Sequence, residues 1–271
     1  MKNHSVSKEQ EAFLRRQKKE KAFVMTVRLL LAVMMLAGWE LAADREWINS
    51  FIFSSPSKVV GCAIQLGWRQ LLPHIGVTLL ETLGSFVAVT LLSLLIAIGL
   101  WWNAKLSKIS EPYLVVLNSL PKSAMAPILI VWLGANTNTI MVCAISVAVF
   151  GSILSLYTAF SNVDSEKLKL IRTLGGSRSQ MLRMVVLPAS VPSMLSLMKV
   201  NVGLCLVGVI IGEFLSAKKG LGYLIIYGSQ TFRLDWVMLS IAILCGIAML
   251  LYGSLQFITK SIQSEHKFDT I

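Results

Sequence analysis

Glu213 is the acid that stands out in this chain, because it closes the apolar run Gly208-Val209-Ile210-Ile211-Gly212-Glu213-Phe214. A carboxylate near the end of such a run is costly unless it faces protein or water. It therefore either belongs to a polar path between helices or pairs at the interface with Lys218 or Lys219. Asn201, earlier in the same run, is a second polar candidate for that path. Pro121 and Lys122 are the others: Leu120-Pro121-Lys122 and Pro127 interrupt a further apolar stretch. Proline removes a backbone donor, and a broken helix within lipid is tolerated where it faces protein or a water-filled cavity. Covalent chemistry finds no support. Cys62, Cys143, Cys205 and Cys245 form no CxxC pair, and His4, His74 and His266 are isolated. No nucleophile–base pair, metal set, cofactor motif or GxxxxGK[ST] phosphate loop is expected.

The remaining functional signal is the polar, basic stretch from Asp164 to Pro192, set between two apolar segments. Asp164 and Ser165 are good N-caps, and Glu166 suits the first turn of a helix. Leu168, Ile171 and Leu174 then form an apolar stripe, and Gly175-Gly176 ends the helix. Met181, Met184 and Val185 give a second short stripe that Leu187-Pro188 closes. The reading is two short amphipathic helices joined by a glycine turn, carrying Lys167, Lys169, Arg172, Arg178 and Arg183. Such a loop asks for a protein partner.

What positions these residues is an all-α membrane protein. Of 271 residues, 55% are hydrophobic and 14% charged, with a mean hydropathy of +0.70. The net charge of +11 is spread between apolar segments without interleaved aromatics, so no nucleic-acid partner is expected. Six segments are long enough for the ~20 residues that cross a bilayer: 23–43, 77–101, 112–134, 139–160, 193–215 and 236–259. Residues 1–21 read as a basic tail, 22–260 as the transmembrane domain with its polar loop at 161–192, and 261–271 as a second tail. Counted by side, 16 Lys and Arg fall with the N-terminus, six fall opposite, and Arg28, Lys122 and Lys199 lie within spans. The positive-inside rule then puts both termini and the 161–192 loop in the cytoplasm. On the other side, Pro56-Ser57-Lys58 and the apolar residues after it read as a short interfacial helix, with Trp47 and Trp68 at the membrane boundary. Gly208 and Gly212 form a GxxxG pair that lets another helix approach closely.

The loop also carries a family resemblance. Gly175, nine residues, Val185, one residue and Leu187-Pro188 are similar to the cytoplasmic loop of bacterial ABC-importer permeases. There the usual pattern opens with Glu-Ala-Ala three residues before the glycine; here Lys169-Leu170-Ile171 stands in that place. Gly212-Glu213-Phe214 and Lys219-Gly220-Leu221-Gly222-Tyr223 further resemble permeases for nitrate, sulfonates, taurine or thiamine-precursor pyrimidines. The likeness runs from about Pro56 to about Lys260. It implies a type I importer permease fold in the bacterial inner membrane, with a second permease copy as partner in a homodimer. It also implies a cytoplasmic ATPase dimer and an extracytoplasmic solute-binding protein as partners, with Glu166, Lys169, Arg172, Gly175, Gly176, Ser177, Leu187 and Pro188 forming the ATPase-coupling surface. The family's Glu contacts the ATPase; Glu166, on nearly the same helix face as Lys169, is the candidate substitute. The competing readings are an ion-gradient-driven transporter, an intramembrane enzyme and a structural scaffold. The first usually needs buried acids and an inverted repeat, the second paired reactive groups, and the third leaves the loop's patterning unexplained.

Overall fold

A computed structural model describes residues 8–266, and every regular element among them is helical. The expectations for 1–7 and 267–271 lie outside the described residues. The chain divides into two compact units, Met1–Gln65 and Leu66–Ile271.

In the first unit, helix α1 spans Lys8–Asp44. The described part of the expected tail is therefore helical and continuous with the first span, as its Lys, Arg, Glu and Gln content favours. Asn49 caps the short α2, Ser50–Phe53. The Glu40 carboxylate then accepts from the Ser57 backbone N–H at 2.9 Å and its hydroxyl at 2.6 Å. This fastens the start of α3, Pro56–Trp102. Gly67, at φ +69°, breaks α3 into a short helix beginning at Pro56 and a long one beyond.

In the second unit, α3 continues from Gly67 through Pro73, so residues before 77 already belong to this helix and not to a connecting loop. Asn103 caps α4, Ala104–Ser119, and α5 follows at Lys122–Leu133. The third span expected over 112–134 is broken at the expected place: the two helices meet at 95° across Leu120-Pro121. The residue before a proline is driven out of the α region, and Leu120 accordingly sits at ψ 140°. At 1.5 Å per residue these helices run about 24 Å and 18 Å, each short of a ~30 Å bilayer core. Among the described residues, five helices are long and apolar enough to cross a membrane, or six if the bent pair is one span.

Helix α6, Thr137–Ser161, and α9, Leu187–Ser216, form the centre of this unit. They run antiparallel with small residues in register. A Cβ on Gly208 would meet the Cα of Ala144 at 2.5 Å, and one on Gly212 would meet the Cα of Ile140 at 3.0 Å. The GxxxG pair thus packs within the chain. Phe86, Val89, Ala148, Val202 and Cys205 continue the core along it. Helices α10, Leu221–Gln230, and α11, Leu234–His266, complete the fold.

Candidate functional site

The polar loop folds as an elbow. Asp164 Oδ1 accepts from the Glu166 N–H at 2.9 Å and starts α7, Ser165–Thr173. Its end is fixed by two bonds, Gly176 N–H to the Ile171 carbonyl at 2.9 Å and Gly175 N–H to the Arg172 carbonyl at 3.0 Å. That pairing demands a left-handed residue at the turn, and Gly175 takes φ +77°. A Cβ at Gly175 would meet nothing within 4 Å, whereas one at Gly176 would strike Ile171. Ser177 then caps α8, Arg178–Met181, reciprocally with Gln180.

Two expectations are corrected here. Leu174 does not share the stripe of Leu168 and Ile171: it is 75% exposed. At 100° per residue, steps of three drift by 60° each, so Leu174 lies 120° from Leu168. Leu170 and Leu174 instead form an exposed apolar pair one turn apart, facing away from the bundle with Glu166. Leu187-Pro188, moreover, does not close a separate helix. Helix α8 passes through a π-helical turn, Leu182–Val186, straight into α9. The ring of Pro188 would collide with the Met184 carbonyl in a regular α-helix. The wider turn, with the Leu187 N–H bonded to the Leu182 carbonyl, relieves this. The core cluster of Ala97, Leu156, Phe160, Leu182 and Val186 packs the elbow against the spans.

The second place is a buried knot around Glu213, which is 1% exposed and so does not snorkel toward Lys218 or Lys219. Its Oε1 accepts from the Thr78 hydroxyl at 2.7 Å, and its Oε2 from the Gly222 N–H at 2.5 Å. Thr78 in turn accepts from the Leu221 N–H at 2.9 Å. Glu213 and Thr78 thereby satisfy orphan donors in the first turn of α10, where the helix dipole favours an anion. Gly220, at φ +123°, leaves no room for a side chain: a Cβ there would fall on the Glu213 carboxylate. His74 lies beside this turn, its Nδ1 3.0 Å from the Gly220 N and its ring stacked on Tyr223.

His74, Thr78 and Glu81 were not singled out from sequence, although they recur at i, i+4 and i+7 on one face of α3. The legible signal was an acid and a threonine inside an apolar run. Glu81 is a second buried acid, 2% exposed, and its carboxyl lies beside that of Glu213.

The other candidates are scattered. Asn201 is buried between α9 and α6, its Oδ1 2.7 Å from the Ser152 hydroxyl. Lys122 is half-buried, bonded to the Leu117 carbonyl and 5.0 Å over the Phe150 ring. Pro121 is exposed at the break. A separate open groove of about 580 Å³ runs between α6 and α9, lined by Ser155, Thr158, Asn162, Ser193 and Ser196 among others.

Residues 82–263 match the family model described as the binding-protein-dependent transport system inner membrane component, which is more than half the chain. The chain belongs to this family. It is a multi-pass inner-membrane permease of the ABC-importer class. It is 28% identical over 233 residues to a probable ABC transporter permease protein of Haemophilus influenzae, covering 85% of this chain and 94% of that one. It is 26% identical to the formylaminopyrimidine transport permease protein ThiX of Halalkalibacterium halodurans, over 72% of this chain and 77% of that one. It is 23% identical to the taurine transport system permease protein TauC of Escherichia coli, over 89% and 90%. Among solved structures, the MetNI methionine ABC transporter in an inward-facing conformation matches with a TM-score of 0.65 at 18% identity, over 74% of this chain and 99% of that one. A bacterial ABC transporter involved in import of the acidic polysaccharide alginate matches with a TM-score of 0.65 at 13% identity, over 93% and 99%. At these identities the structural likeness is one of fold.

Proposed function

We propose that this permease pairs with a second copy of itself to form the pathway for a small solute, delivered by an extracytoplasmic binding protein. Two cytoplasmic ATPase subunits drive it through the 164–188 loop. The chain contributes no ATP site. The observation that carries this reading is the elbow, which is capped at every turn and continuous through the π-helical segment with the central helix α9. A load applied to the exposed Leu170 and Leu174 is transmitted to a span without a flexible joint. Both termini lie in the cytoplasm, as the distribution of Lys and Arg supports. Glu166 shares the exposed face with Leu170 and supplies the carboxylate toward the ATPase, while Lys169 and Arg172 turn to the other side of α7, into its cavity with α8 and the end of α3.

The hydroxyl-lined groove between α6 and α9 faces the pathway, since polar side chains on spanning helices turn toward water or protein. Glu213 acts as a brace of the outer gate, holding the Gly220–Gly222 turn against α3. Names borne by relatives suggest a sulfonate such as taurine, or a formylaminopyrimidine, as solute; nitrate is implied by the family resemblance alone.

The test is uptake by proteoliposomes assembled with the ATPase and binding protein encoded beside this chain. Uptake should require both ATP on the ATPase side and binding protein on the other. Uptake driven by a sodium or proton gradient without ATP would establish the ion-coupled alternative instead.

A further inference from the structure

We propose that the inner side of the elbow is a binding site for the phosphodiester headgroup of an anionic phospholipid. A cavity of about 550 Å³ opens between α7, α8 and the end of α3. Lys169, Arg172 and Arg178 converge on it, Trp101, Leu168 and Met181 supply apolar wall, and no carboxylate lines it. None of the three cations has an ion-pair partner among the described residues.

Arg178 is held in place before any ligand arrives. Its Nη2 donates to the Trp101 carbonyl at 3.0 Å, and its guanidinium lies 5.4 Å from the Trp101 ring and 5.9 Å from that of Trp102. One of five N–H donors is used and the rest remain for an oxyanion. A planar fork held on aromatic faces suits phosphate better than a mobile ammonium does. Lys169 and Arg172, three residues apart on α7, reach the same cavity.

Three features favour lipid over a soluble anion. Trp101 and Trp102 end a spanning helix, where indoles mark the membrane–water boundary. The cavity wall mixes cations with apolar side chains, as a headgroup joined to glycerol requires. The site also lies on the side of α7 facing the bundle, roughly opposite Leu170 and Leu174, so headgroup and ATPase do not compete for one face. This last point rests on the coupling reading; the headgroup chemistry does not.

The test uses the full-length permease in nanodiscs of phosphatidylcholine doped with phosphatidylglycerol, with retained lipid counted by native mass spectrometry after release into detergent. Phosphatidylglycerol should be retained over phosphatidylcholine. Each cation near a membrane surface contributes about fivefold in affinity, so Arg178→Gln should lower retention by about that factor and Arg172→Gln with it by more. Arg178→Lys keeps the charge but loses the fork, so its retention should fall between those of Arg178→Gln and the native chain, which guards against a folding defect. Arg233→Gln, at an Arg–Trp pair without converging cations, should change nothing. Equal retention of phosphatidylcholine, or retention unaffected by Arg178→Gln, would overturn the proposal. So would full displacement of phosphatidylglycerol by excess inorganic phosphate, which would make this a free-anion site. Because lipid is counted without ATP turnover, failure here leaves the coupling role standing.

Discussion

At the scale of single residues, Glu213 acts as a helix cap placed in a membrane protein's interior. It satisfies Gly222 directly and Leu221 through Thr78, and both glycines of Gly220-Leu221-Gly222 are required by its bulk. Glu213→Gln puts an amide N–H₂ where one of two donors now points. A hydrogen bond contributes roughly 0.5–1.5 kcal/mol net, and a buried donor left unsatisfied costs about 1–3 kcal/mol, so the Tm in detergent should fall, with transport impaired at equal expression. Unchanged uptake and an unchanged Tm would retire Glu213 as a brace. Thr78→Val should behave similarly, since it removes both the donor to Glu213 and the acceptor for Leu221. Glu81 predicts the opposite sign. Two buried carboxyls side by side disfavour a second charge, and Glu81 lies beside Glu213. Glu81→Gln should therefore leave the permease as stable as, or more stable than, the native chain. A loss comparable to that of Glu213→Gln would mean the Glu81 carboxyl itself is required during folding or transport.

At the scale of elements, the α6–α9 seam and the elbow decide the architecture. Gly208→Val would force a branched side chain onto the Ala144 backbone. Overpacking of this kind costs about 1–3 kcal/mol or more, and the variant should fail to accumulate as a monodisperse protein. Gly203→Ala, where a Cβ meets nothing within 4 Å, is the matched control. Much of this level was legible in the sequence. The polar spacing from Asp164 to Pro188 marks the elbow, GxxxG marks a close approach, and Leu120-Pro121 marks a break. What could not be read is where each signal finds its counterpart. The partner of Glu213 lies 135 residues away, and only folding brings Thr78 and His74 to the Gly220 turn. The 95° bend at Pro121 and the π-helical turn before Pro188 are local in cause, yet proline fixes only that the helix must change, not how. Leu174 was misplaced because a spacing of three approximates the helical period only over one step.

For the molecule as a whole, topology and coupling are the claims that matter. Cysteine at Ser177 should react with an impermeant thiol reagent only from the cytoplasmic side, and cysteine at Lys58 only from outside; the reverse would invert the arrangement. Coupling is tested most directly at Gly175. Its φ of +77° costs Asp or Asn about 1 kcal/mol, and a Cβ there touches nothing in the chain. A folded Gly175→Asp permease therefore reports on whatever docks against the turn, and Gly175→Asn separates backbone strain from added charge. The decisive measurement is ATPase co-purification together with ATP turnover for these two variants in the assembled complex. The account predicts that Gly175→Asp inserts normally but loses the ATPase or its stimulated hydrolysis, with Gly175→Asn much less affected. Normal association, hydrolysis and uptake with Gly175→Asp would contradict the loop's role as the coupling element.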